Sequence, residues 1–71
     1  MKTQKFDAEI YPLAVIQRAV RDYAEIAQIQ ILPLKKYTTC VFYDCVASEE
    51  LTVKEFGNYL IDLIGSAKDI V

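Results

Sequence analysis

The chain has 71 residues, 54% of them hydrophobic, a net charge of −2 and no histidine. That leaves room for a single domain and removes the usual general base, the Ser-His and Cys-His pairings and the commonest zinc ligand. Lysines and arginines are scattered, with Lys35-Lys36 the densest pair, so neither a nucleic-acid backbone nor a polybasic membrane anchor is an expected partner.

No apolar run approaches the ~18–20 residues of a bilayer span. No apolar stretch follows the charged start Met1–Lys5, so no secretory signal is expected. A domain this small buries about 60% of its unfolded surface, and its hydrophobic fraction exceeds the roughly 45–50% of ordinary domains. Part of that surface is expected to meet another chain.

The first periodic stretch is Lys5–Ile10, where Phe6, Ala8 and Ile10 alternate with charged residues as in a half-buried strand. Tyr11-Pro12 breaks the ladder, and proline suits the first turn of a helix. From Pro12 to Glu25, Leu13, Ile16, Val20 and Tyr23 recur every three or four residues, the spacing of an amphipathic helix. Ala27–Leu32 alternates again as a second strand. Pro33–Lys36 is a loose loop lacking the Asn-Gly signature of a tight turn.

Tyr37–Asp44 is rich in β-branched and aromatic residues and forms the third strand. Cys40 and Phe42 point to one face, and Val41, Tyr43 and Cys45 to the other. One face is expected to meet the helices. The other should be covered, or exposed with unusual hydrophobicity. Cys40 and Cys45 are five residues apart, which separates them on a continuous strand, so both are expected to be reduced, as suits a cytoplasmic protein.

Thr52-Val53-Lys54-Glu55 has the spacing of a capping box opening the second helix, with Leu51 and Phe56 placed for a hydrophobic staple. Phe56, Tyr59, Leu60, Leu63, Ile64 and Ala67 form its apolar stripe. Gly57 lies one turn before Ile61 at the stripe's edge; it either admits a close neighbouring backbone or is simply tolerated. Lys2–Lys5 and Asp69–Val71 are expected to fray.

The order β-α-β-β-α predicts an α+β, two-layer sandwich: a three-stranded sheet with both helices on one face and the opposite face open. No catalytic, cofactor-binding or metal-binding residue stands out. The two glycines, Gly57 and Gly65, rule out a phosphate-cradling loop, and two cysteines without further ligands do not close a zinc site. A reactive cysteine is disfavoured because Asp44, the nearest charge, would raise a thiol pKa. Asp44, Glu49 and Glu50 fit solvent exposure at a helix start better than acid/base work.

The candidate binding residues are Tyr37, Thr39, Val41 and Tyr43, which share one side of the third strand, together with Gly57 and Ile61. Tyrosine is enriched at protein interfaces. The spacing does not say whether the tyrosine row lies open or beneath the helices.

At Tyr11-Pro12-Leu13-Ala14-Val15-Ile16-Gln17-Arg18-Ala19 and at Glu55-Phe56-Gly57-Asn58-Tyr59-Leu60 the chain resembles the HxsD-like proteins, named after the His-Xaa-Ser peptide-maturation system. The resemblance spans about Phe6 to Leu63 and rests mainly on packing residues. It implies a companion of radical-SAM enzymes that modify a ribosomally made peptide, and carries over no catalytic residue. The expected function is therefore a protein- or peptide-binding accessory module. The alternative is a structural homodimer or a small subunit of a larger assembly.

Overall fold

A computed structural model describes residues 1–69, with side chains through residue 65. The elements are β1 (Lys2–Asp7), α1 (Leu13–Asp22), β2 (Gln28–Pro33), β3 (Tyr37–Tyr43) and α2 (Glu49–Asp69). The sheet order is β1-β3-β2, with both pairings antiparallel. β1 and β2 therefore run parallel with β3 between them, a split β-α-β arrangement closed by a final helix. The fold is α+β, in the expected order.

The first strand begins and ends earlier than its periodicity predicts. Lys2–Lys5, expected to fray, are paired to β3 from Lys2↔Phe42 onward. The strand stops at Asp7 because that residue organises a turn. Its Oδ1 accepts the Glu9 N–H at 2.8 Å. Its carbonyl accepts the N–H groups of Ile10 and Tyr11 at 3.1 and 2.9 Å. Ile10 is consequently exposed and has no place on the buried face.

α1 follows Pro12, whose φ of −59° suits entry to a helix. It ends three residues before Glu25. The Tyr23 carbonyl is taken by the N–H groups of Ile26 and Ala27 at 2.8 and 2.9 Å, which turns the chain into β2.

α2 starts three residues before the expected Thr52 cap. Ser48 is the cap: its Oγ accepts the Leu51 N–H at 3.2 Å. Thr52 is buried inside the helix and donates its hydroxyl to the Ser48 carbonyl at 2.8 Å. The capping box with Glu55 therefore does not form. Leu51, half exposed within the first turn, makes no staple with Phe56. Glu49 and Glu50 sit in that first turn, where negative charge suits the helix dipole. Ala67 lies beyond the described side chains, and of Asp69–Val71 only the backbone of Asp69 is described.

The core lies between the sheet and both helices. Phe6, Cys40 and Phe42 from the sheet meet Ile16 and Ala19 of α1 and Phe56 and Leu60 of α2. Phe56 is the hub. Its ring packs edge-on against Phe42 and Tyr23, each with centroids 5.2 Å apart, and leans on Phe6 at 6.0 Å. Burying a phenylalanine contributes about 1.5–3 kcal/mol, so these rings anchor the layers.

Of the two readings of Gly57, the structure fits the tolerated one: no neighbouring backbone comes close, and a methyl group there would meet Cε1 of Phe6 at 3.9 Å, an ordinary contact. One expectation needs correction. Cys45 does not share a face with Val41 and Tyr43. Asp44 has φ of 53°, a left-handed conformation that short polar residues tolerate. It ends β3 and turns Cys45 onto the core.

Candidate binding face

Cys40 and Phe42 pack in the core with the helices, and Thr38 is buried on the same side of the strand. Strand alternation then places Tyr37, Thr39, Val41 and Tyr43 on the opposite, helix-free face. The four candidate residues of β3 are thus brought together on the middle strand. The register adds neighbours from both flanks: Thr3 and Gln30 lie beside Val41, Lys5 and Leu32 beside Thr39, and Gln28 beside Tyr43.

This face is open but not unusually hydrophobic, contrary to one of the two expectations for it. Threonine, glutamine and tyrosine dominate. Val41, at the centre, is only 9% exposed, and Tyr37 at one end is 46% exposed. The Lys5 ammonium stands 5.9 Å from the centroid of the Tyr37 ring, within range of a cation–π interaction. The face therefore offers two amphipathic rings, amide and hydroxyl hydrogen-bonding groups and one cation. Sequence reasoning missed Lys5, Gln30 and Leu32 as members. Their alternation was legible, but they join this face only because β3 is the central strand.

Gly57 and Ile61 are not part of it. Both belong to α2, in the helical layer. Gly57 faces the Phe6 ring, and Ile61 is exposed. The apolar surplus is spread over loops and helices instead, at Ile10, Leu34, Val46 and Leu51 as well as Ile61.

Beside Tyr37 a shallow cavity of about 200 Å³ is lined by Asp7, Glu9, Lys35, Lys36 and Tyr37. Its walls carry both signs of charge. The Ala8 N–H donates to the Lys36 carbonyl at 2.9 Å and holds the two loops together.

Elsewhere among the described residues, burial or a neighbouring carboxylate shifts the ionisation of Cys40, Tyr59 and Tyr23. Burial pushes the Cys40 thiol up to about 11, so it stays protonated and weakly nucleophilic at neutral pH. Cys40 and Cys45 are both free thiols. The Tyr59 hydroxyl, donated to Asp22, is held above its ordinary pKa mainly by that hydrogen bond. Tyr23 is raised by burial and then by Glu55. Among the described residues no group of three or more acidic, cysteine or histidine side chains is placed to hold a metal. Nor is any helix long and apolar enough to cross a membrane.

Comparison with protein-family models, with curated proteins and with solved structures finds no match to this chain.

Proposed function

We propose that the chain is a protein- or peptide-binding accessory module with no catalytic role, working through the open face of its sheet. The observation that carries this reading is the placement of both helices on one side. It leaves Tyr37, Thr39 and Tyr43 of the central strand, around a Val41 that is only 9% exposed and beside Lys5 of β1, on the face that no helix covers. Tyrosines supply large contact area at low entropic cost, and neighbouring polar groups supply adaptable hydrogen bonds.

The resemblance to HxsD-like proteins adds the context: a cytoplasmic companion of a radical-SAM enzyme that modifies a ribosomal peptide. Two free thiols suit a reducing compartment. The test is calorimetric titration of the chain with such an enzyme from the same organism and, separately, with its precursor peptide. Saturable binding that weakens at least about tenfold in Tyr37→Ala or Tyr43→Ala is expected, as for an interface anchor. No binding to either, or binding indifferent to both substitutions, overturns the reading.

A further inference from the structure

The two sheet edges differ. The Leu34 N–H donates to the Tyr37 carbonyl at 3.0 Å, which makes Leu34 and Tyr37 a hydrogen-bonded pair. Such pairs alternate along an antiparallel ladder. Leu32, Gln30 and Gln28 therefore turn their main-chain groups toward β3, and Ile29, Ile31 and Pro33 turn theirs outward. Pro33 sits where a missing N–H costs no ladder bond. By the same alternation, the Ala8-to-Lys36 bond leaves Thr3, Lys5 and Asp7 outward on β1. That edge is blunted by a lysine, a usual protection, and its end is used up by the Asp7 turn. On β2 the outward positions Ile29 and Ile31 have no such protection, and only Pro33 at its end blunts the edge. From Ile26 through β2 to Leu34 the chain carries no charge, and Ile26 and Leu34, which flank the strand, are 40% and 65% exposed.

The uncharged stretch is also self-complementary when read antiparallel about Gln30. Residues at equal distances from Gln30 form the series Ile29 with Ile31, Gln28 with Leu32, Ala27 with Pro33, Ile26 with Leu34 and Glu25 with Lys35. We propose that two copies of the chain pair edge to edge through β2, with Gln30 on the twofold axis, making one six-stranded sheet.

In that register Ile29 faces the partner's Ile31, and the two symmetric pairs supply four main-chain hydrogen bonds. The next outward positions are Pro33, which has no N–H, and Ala27, whose N–H is already donated to Tyr23, so no donor is stranded. Exposed Ile26, in the turn before β2, comes to the same end as the partner's exposed Leu34. Glu25, in the turn before β2, lies at the strand end that adjoins the partner's Lys35, in the turn after β2; both are exposed and neither forms an ion pair within its own copy among the described residues. Charge complementarity at both ends selects a second copy as the occupant. The dimer does not depend on the function proposed above, but it would join two tyrosine faces into one surface.

Sedimentation equilibrium of the whole chain is the test. A dimer is expected. Gln30→Lys, which sets two ammonium groups against each other on an exposed position, is expected to return it to monomer with unchanged circular dichroism. Glu25→Lys and Lys35→Glu should each weaken association about tenfold, since exposed pairs contribute modestly and two change at once, and the double exchange should restore it. Under oxidised glutathione, Gln30→Cys should form a covalent dimer, because residues directly opposite in a non-bonded pair lie within disulfide reach. Gln28→Cys should not. A monomer at every concentration overturns the proposal, as does a dimer that ignores Gln30→Lys and the charge exchange.

Discussion

The Tyr59 hydroxyl donates to Oδ2 of Asp22 at 2.5 Å, tying the middle of α2 to the last residue of α1. Arg18, one turn earlier in α1, lies 3.8 Å from the same carboxylate oxygen. This contact joins the two helices at the surface, above the Tyr23 and Phe56 rings.

It has a titration signature. The bond requires the protonated phenol, so it raises the Tyr59 pKa. Asp22→Asn should bring that ionisation back toward the ordinary tyrosine value, read by absorbance at alkaline pH. A phenol held protonated in the fold stabilises it at neutral pH, and that contribution is lost as pH rises through the tyrosine range. A titration unchanged by Asp22→Asn would contradict the contact.

Cys40 makes a related prediction at lower pH. Its folded pKa of about 11 lies above that of a free thiol. The unfolded chain therefore loses this proton first, and stability should fall as pH rises between roughly 8.5 and 11. Urea midpoints across that window should slope less in Cys40→Ala, whose baseline is lower because a core atom is lost. At neutral pH, mass spectrometry should find Cys45 alkylated well before Cys40, which is fully buried. Equal rates would contradict the packing.

Ser48, rather than Thr52, should behave as the helix cap. Ser48→Ala is expected to cost about 1 kcal/mol. Glu55→Ala, which would remove the acceptor that a capping box needs, should be nearly neutral by denaturant unfolding. The reverse ranking would place the helix start at Thr52.

Gly57→Ala should stabilise the chain by up to about 1 kcal/mol, since alanine is the better helix former and the added methyl finds only ordinary contact with Phe6. A drop in melting temperature would mean that the space beside Phe6 is tighter than it looks.

The element order and the two faces of β3 were legible because side-chain periodicity reports burial directly. What escaped the sequence were decisions between equivalent local signals. Ser48 and Thr52 can both cap a helix, and only the burial of Thr52 chooses between them. Alternation in Lys5–Ile10 reads as strand, yet Asp7 closes its own turn and shifts the strand toward Lys2. Cys45 follows strand parity on paper, but the left-handed Asp44 reverses it, and aspartate in that conformation has no signature as plain as glycine. Tyr37, Thr39, Val41 and Tyr43 were grouped correctly by spacing. Their neighbours Lys5 and Gln30 depended on strand order, which pairing across β3 sets and local sequence does not.

The most direct test of the binding face is an amide-resolved NMR titration of the labelled chain with a radical-SAM peptide-modifying enzyme from its organism, and with the precursor peptide. Chemical-shift or intensity changes centred on Tyr37, Thr39, Val41, Tyr43 and Lys5 are the expected result. Changes confined to α1 and α2, or none at saturating concentration, would contradict a role for the open sheet face.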